Sequence, residues 1–373
     1  MGSILRGCVR VFIVAFSFSL SLYAEPGMWT FDQFKAAYKA VHGIEPPDEL
    51  VNAMMYSMVR VVSGGSASFV SPDGLVVTNH HVAESALYQL ASKDNDVVAK
   101  GFSARSQAEE IKIPSYEMNA FVGLEDVTAQ IESAVKPGMS FAEAHEARRI
   151  AIGEIEEKVF SETGLKPQVV GLYNNTKYQL YKFKRYNDVR LVWAPEKQAG
   201  FFGGDKANFN YPRTALDGAL FRVYENGKPL KTPNYVPMSP YGASEGEQLF
   251  VVGNPGSTFR HLTAAQLPFE KATVVPDEIQ ILEAREKALK EYSAMGPEQK
   301  RQALGDLDRV QNILKVKRGS LEAFHTADVI EKRQKWEKGE GNPSLNAENK
   351  SEWEAALEAI AKSQKVYESL YPT

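Results

Sequence analysis

One ten-residue stretch constrains this chain more than any other: Asp73-Gly74-Leu75-Val76-Val77-Thr78-Asn79-His80-His81-Val82. A Pro72-Asp73-Gly74 turn leads into an apolar, β-branched run, which reads as a buried strand bounded by turn residues. The strand ends in two polar residues and a pair of histidines. A histidine at the end of a core strand is held rigidly at a domain surface, where a general base is useful. Upstream, Ser63-Gly64-Gly65-Ser66-Ala67-Ser68-Phe69-Val70-Ser71 supplies a glycine-rich approach and the partner strand of a hairpin. Adjacent residues leaving a strand point different ways, so only one of the two histidines faces a cleft. We take His81 as the base, with His80 its rival.

With 373 residues the chain has room for two or three domains. Its hydrophobic content of 43% and charged content of 24% are those of an ordinary globular protein. A net charge of −4 gives no reason to expect nucleic acid or an anionic membrane as a partner. At the start, Arg6 and Arg10 precede the apolar run Val11 to Leu22, and Tyr23-Ala24 precede Glu25. This is the pattern of a secretory signal peptide over residues 1–24, which implies a periplasmic location. The run is too short for a comfortable membrane span, although an uncleaved anchor stays open as the alternative. The single cysteine, Cys8, falls inside that segment. A mature chain would therefore have no disulfide, no cysteine nucleophile and no cysteine-based metal site.

The chain beyond it reads as a β-barrel domain over 25–275, interrupted by a helix at about 140–164, followed by part of a helical domain over 276–373. An amphipathic stretch runs to about Val41, and Asn52 to Met58 reads as a short helix before a first strand, Val59-Arg60-Val61-Val62. Helical character also covers Glu84 to Ala91. In the inserted helix Ser140-Phe141-Ala142-Glu143 is a capping box and Gly164 is placed for a C-cap. Ala144, Ala147, Ala151, Ile155 and Val159 form its apolar stripe. Strands are expected at Ile111–Ile113, Val169–Tyr173, Tyr178–Tyr181, Asp188–Trp193, Asp217–Tyr224 and Leu249–Val252, with a hairpin turn at Glu225-Asn226-Gly227-Lys228. Helix-periodic segments follow at Asp277–Met295, about Pro297–Lys317 and Ser351–Leu370, with Leu304, Leu307, Val310 and Leu314 on one face.

A base needs an orienting acid and a nucleophile. Asp217 is the best acid by position, because it follows a polar loop and opens an apolar strand; an Asp there can equally cap a turn. Ser63-Gly64-Gly65 precedes the histidine and reads as strand approach. Ser257 would complete the order His81, Asp217, Ser257, yet it lacks the following glycines that shape an oxyanion hole, and a polar turn residue is the competing reading. His42, His145, His261 and His325 stand isolated, without metal-ligand spacing, so no metal or other cofactor is expected.

Several further motifs accompany the histidine: Gly27-Met28-Trp29, the run Tyr181 to Leu191, Phe201-Phe202-Gly203-Gly204-Asp205, Asn208-Phe209-Asn210-Tyr211-Pro212-Arg213 and Gly253-Asn254-Pro255-Gly256. Together they resemble the bacterial periplasmic serine dipeptidyl-peptidases, from about Gly27 to the C-terminus. The resemblance implies a trypsin-like double β-barrel with an inserted helical cap, of which this chain matches the first barrel and part of the cap. It implies an exopeptidase that releases dipeptides from the free N-terminus of oligopeptides, with His81 as general base and Asp217 orienting it. Asn208 and Phe209 would bind the substrate's free α-amino group, as an amide oxygen and an aromatic face suit an ammonium ion. Asn312 is a weak match to an asparagine of the cap that holds the peptide backbone. Homodimers are implied for the full-length family. Better-known members have Trp at the position of Phe209 and a cysteine at that of Val82, whose partner in the Gly64–Ser68 stretch is missing too. The nucleophilic serine and its oxyanion hole would lie in a C-terminal half that these residues do not include. The chain alone is then expected not to hydrolyse dipeptidyl substrates. An HtrA-like endopeptidase and a catalytically inactive peptide-binding fragment are the alternatives.

Overall fold

A computed structural model describes residues 29–62, 64–92, 94–173, 175–200, 208–210, 212–254, 261–342 and 345–372. The signal-like segment, Ser63, the Phe201–Asp205 motif and Ser257 lie outside the described residues. The chain divides into two compact units, up to Val51 and from Asn52 onward.

In the first unit, α1 (Phe31–His42) ends at Gly43, whose left-handed backbone (φ 72°) returns its N–H to the Lys39 carbonyl. Lys39 pairs with Glu45 at 2.8 Å and Lys35 with Asp48. Helix α2 (Asp48–Tyr56) opens after Pro46-Pro47, earlier than the expected Asn52, because Asp48 and Glu49 suit the positive end of a helix.

The second unit is mixed β and α. Its strands are β1 (Met58–Val61), β2 (Ser66–Phe69), β3 (Leu75–Thr78), β4 (Phe102–Ser103), β5 (Ile111–Lys112), β6 (Met118–Asp126), β7 (Lys166–Leu172), β8 (Lys177–Tyr186), β9 (Asp188–Ala194), β10 (Ala219–Glu225) and β11 (Lys228–Pro229). All pairings among the described residues are antiparallel. The expected hairpin forms, with Phe69 opposite Val76 and Ala67 opposite Thr78. Its turn demands Gly74: the backbone is left-handed (φ 68°), and a Cβ there would lie 2.8 Å from the Val223 carbonyl oxygen. Strand β3 pairs with β10, and β10 with β9. The segment 111–120 then returns the ladder to its origin: Ile111 pairs with Leu191 on β9, and Met118 with Val61 on β1. Strands β1, β2, β3, β10 and β9 thus close into a barrel through the segment that carries β5 and the start of β6. Val59, Phe69, Val76, Ile113, Met118, Leu191 and Phe221 fill it.

One strand was not anticipated, and one expected strand does not form. The long strand β6 falls in a stretch without strand alternation, and its first four residues are all buried. It is covered on both sides, with the barrel interior on one and Tyr56, Tyr181 and Phe183 around Phe121 on the other; such a strand has no period of two. Conversely, Leu249–Val252 belongs to no ladder among the described residues, and Leu249 and Val251 are exposed. An apolar β-branched run favours extended backbone but does not supply the neighbour a strand needs.

The second unit's helices are α3 (His80–Leu90), α4 (Val97–Lys100), α5 (Thr128–Glu132), α6 (Phe141–Thr163), α7 (Leu267–Phe269), α8 (Val275–Ser293), α9 (Pro297–Thr326), α10 (Val329–Glu337) and α11 (Lys350–Leu370). A π turn at Glu270–Val274 links α7 to α8. Both bonds of the α6 capping box form, and Gly164 closes it in the left-handed region. Its Ile155 joins Val127, Ile131, Tyr178 and Leu180 in a second core. Helices α8 and α9 fold back on one another over Leu282, Val310 and Leu314. Among the described residues no helix is long and apolar enough to cross a membrane.

Candidate active site

Strand β3 ends at Thr78, and Asn79 takes an extended conformation before α3 begins. The first turn of a helix leaves backbone N–H groups without intrahelical partners. Asn79 does not cap this one with its own side chain. The carboxylate of Asp217 takes that place from the strand side: its Oδ1 accepts the His81 N–H at 3.0 Å. Its Oδ2 lies 2.8 Å from Nδ1 of the His81 ring. The Asn79 side chain donates to the Asp217 carboxylate and to its carbonyl, both at 3.2 Å. One carboxylate thus holds His81 by backbone and ring together, and Asn79 holds the carboxylate. Asp217 itself sits just before β10, beside the register shift between β10 and β9 at Leu220/Phe221.

Burial alone would push the Asp217 carboxyl up, but hydrogen bonds from the His81 ring and backbone N–H outweigh it and hold the group below its usual value. A charged carboxylate at Nδ1 keeps the proton on that nitrogen, which leaves Nε2 with the lone pair a base needs. The side chains of His81 and Asp217 are 31% and 20% exposed, so the pair is partly shielded while the ring remains reachable.

His80 points the other way. It is fully buried, and neither ring nitrogen makes a hydrogen bond of good geometry among the described residues. Gly200 lies against the ring, where a Cβ would come within 2.6 Å of Cγ. Burial pushes the His80 pKa down from 6.5, with Lys197 and His81 acting in the same direction against Asp217. Of the two histidines, His81 is the one equipped with an acid.

A second constellation joins Asn208 and Asn312. The Asn208 amide nitrogen donates to Asn312 Oδ1 at 2.8 Å, and its Oδ1 accepts from Arg213 Nη1 at 3.2 Å. Asn208 is buried, so this pair of contacts fixes its orientation. The neighbouring Phe209 is 60% exposed and has a left-handed backbone (φ 62°). That conformation is costly for a bulky residue and concentrates at ligand-holding turns. Asn79 went unnoticed in the sequence; its place beside the two histidines is the only local signal for it. No group of three His, Cys, Asp or Glu able to hold a metal ion occurs among the described residues.

A barrel whose rim carries a carboxylate-held histidine is the base-and-acid arrangement of serine-type hydrolases. A profile of the Peptidase S46 family matches residues 24–373, and the chain belongs to that family. It is 30% identical over 296 residues to a "Dipeptidyl-peptidase 7" of Phocaeicola vulgatus, covering 73% of this chain and 41% of the relative. To an "Asp/Glu-specific dipeptidyl-peptidase" of Shewanella putrefaciens it is 29% identical over 375 residues, covering 93% and 50%. The crystal structure of Porphyromonas endodontalis DPP11 has the same fold, with a TM-score of 0.73 at 22% identity over 92% of this chain and 53% of that one. The chain spans about half the length of the curated relatives it matches.

Proposed function

We propose that this chain supplies the base, the orienting acid and part of the amine-binding site of a serine dipeptidyl-peptidase that acts on oligopeptides with a free N-terminus. The observation that carries the reading is the double hold of Asp217 on His81, through Nδ1 and the backbone N–H. His81 Nε2 takes the proton of a serine hydroxyl as its oxygen attacks the carbonyl carbon of the second substrate residue. The resulting imidazolium, stabilised by Asp217, passes the proton to the departing amine as the C–N bond breaks. Water, deprotonated by His81 in turn, then cleaves the acyl-enzyme and frees the dipeptide, and the serine regains its proton. The serine belongs to a part of the enzyme outside the described residues. Asn208 offers an amide oxygen to the substrate ammonium and Phe209 an aromatic face, while Asn312, which accepts from Asn208, serves the peptide backbone.

The test compares one peptide with its N-acetylated form, using the intact gene product. Dipeptides should appear only from the free-amine peptide. Cleavage of both forms alike would point to an endopeptidase, and recovery of both intact after binding would point to a non-catalytic peptide-binding protein. The segment 1–24 supports export to the periplasm as part of the same proposal. N-terminal sequencing of the periplasmic fraction should begin at Glu25; a chain retained in the membrane with Met1 or Gly2 at its start would contradict this.

A further inference from the structure

A second group of buried ionisable side chains ties α3 to α9. Lys197, in the loop after β9, is 8% exposed. Its Nζ donates to the Tyr88 hydroxyl at 2.8 Å and to Asp308 Oδ2, and lies 3.6 Å from Glu84 Oε1. Glu84 and Tyr88 occupy successive turns of α3, and Glu84 follows His81 by one turn. Asp308 lies on α9 one turn before Asn312, on the same face. A turn before Asp308, Gly305 meets the Tyr88 ring, where a Cβ would come within 3.3 Å. The small residue lets the two helices approach closely there. Burial favours the neutral form of all three charged groups, yet Asp308, Glu84 and Tyr88 together keep Lys197 protonated.

A buried ion pair is a poor source of stability, because desolvation offsets its attraction and apolar side chains often do as well. It does impose geometry. We propose that Lys197 is a positioning residue that holds the helix bearing His81 at a set distance and rotation from the helix bearing Asn312. The base and the amine-binding Asn208, which is hydrogen-bonded to Asn312, then keep one spacing. The second half of this inference rests on the function proposed above; the first half stands without it.

Two readouts separate these halves in the 373-residue chain. Spin labels at Gln89→Cys and Arg309→Cys, both exposed positions, in a Cys8→Ser background report the separation of α3 and α9. The parent should give one narrow distance, Lys197→Met a broadened or shifted one, and Lys197→Arg a narrow one again. Affinity for a tripeptide against its N-acetylated form reports amine recognition, and Lys197→Met should lose at least tenfold of that preference. If Lys197→Met does not fold, Lys197→Met/Asp308→Leu/Glu84→Gln removes all three charges together; it should fold, yet show the broadened distance and the lost preference. An unchanged narrow distance in either folded variant overturns the strut. A broadened distance with amine preference intact overturns its link to the site. A parent chain without any amine preference sinks the proposed amine site instead, while the distance measurement still decides the strut.

Discussion

At the scale of single residues, His80 and His81 show how one strand end can place two identical side chains in opposite environments. His81 receives a carboxylate, while His80 is sealed beneath Gly200. This burial has a consequence for pH. The His80 pKa is lowered from 6.5 by burial first, so between its folded value and about 6.5 the unfolded chain carries the extra proton. Stability should therefore fall as pH drops below about 6.5, and the fall should end once pH passes the folded value. Replacing His80 by Leu removes that contribution. In thermal melts at pH 7.5, 6.5 and 5.5, the melting temperature of His80→Leu relative to wild type should rise steadily toward the acid side; parallel curves would contradict the assignment. Asp217 could be found from its position before a strand, although a turn cap fitted that position equally well. Its carboxylate instead reaches 136 residues back along the chain, accepting the His81 backbone N–H at the start of α3 and facing the His81 ring. Asn79, Lys197 and Asp308 were not legible, because their partners lie 109 or more residues away along the chain. No local pattern encodes such distances.

At the scale of elements, local rules succeeded where the element satisfies itself. Helix α6 forms within its predicted caps because Ser140, Glu143 and Gly164 meet their needs inside one segment. The hairpin β2–β3 forms because Asp73-Gly74 sets its turn. Elements defined by what covers them were missed or overread, namely β6 and the Leu249–Val252 run. Two substitutions separate these cases by size. Ser140→Ala removes one cap on an exposed helix end and should cost about 1 kcal/mol in urea unfolding. Phe221→Ala, in a fully buried position of the barrel, leaves a cavity and should cost about 3–5 kcal/mol. Equal costs would mean that the barrel interior does not carry the stability of this fold.

For the whole molecule, the barrel closes only through pairings between distant segments, such as Val61 with Met118 and Ile111 with Leu191. The run of strands and turns made a barrel the expectation, but which strands close it could not be read from any one segment. It matters for function because it brings Asp217, just before β10, to the end of β3, where α3 starts. The central claim concerns the base and its acid. The most direct measurement is kcat/KM of the intact gene product for a dipeptidyl substrate, with His81→Ala, His80→Leu and Asp217→Asn compared in folded protein. Loss of about 10,000-fold is expected for Asp217→Asn and at least as much for His81→Ala, because triad members act as a unit. His80→Leu should keep its rate within about tenfold, since that ring faces the core. Retained turnover in His81→Ala, or a collapse in His80→Leu equal to it, would contradict the account.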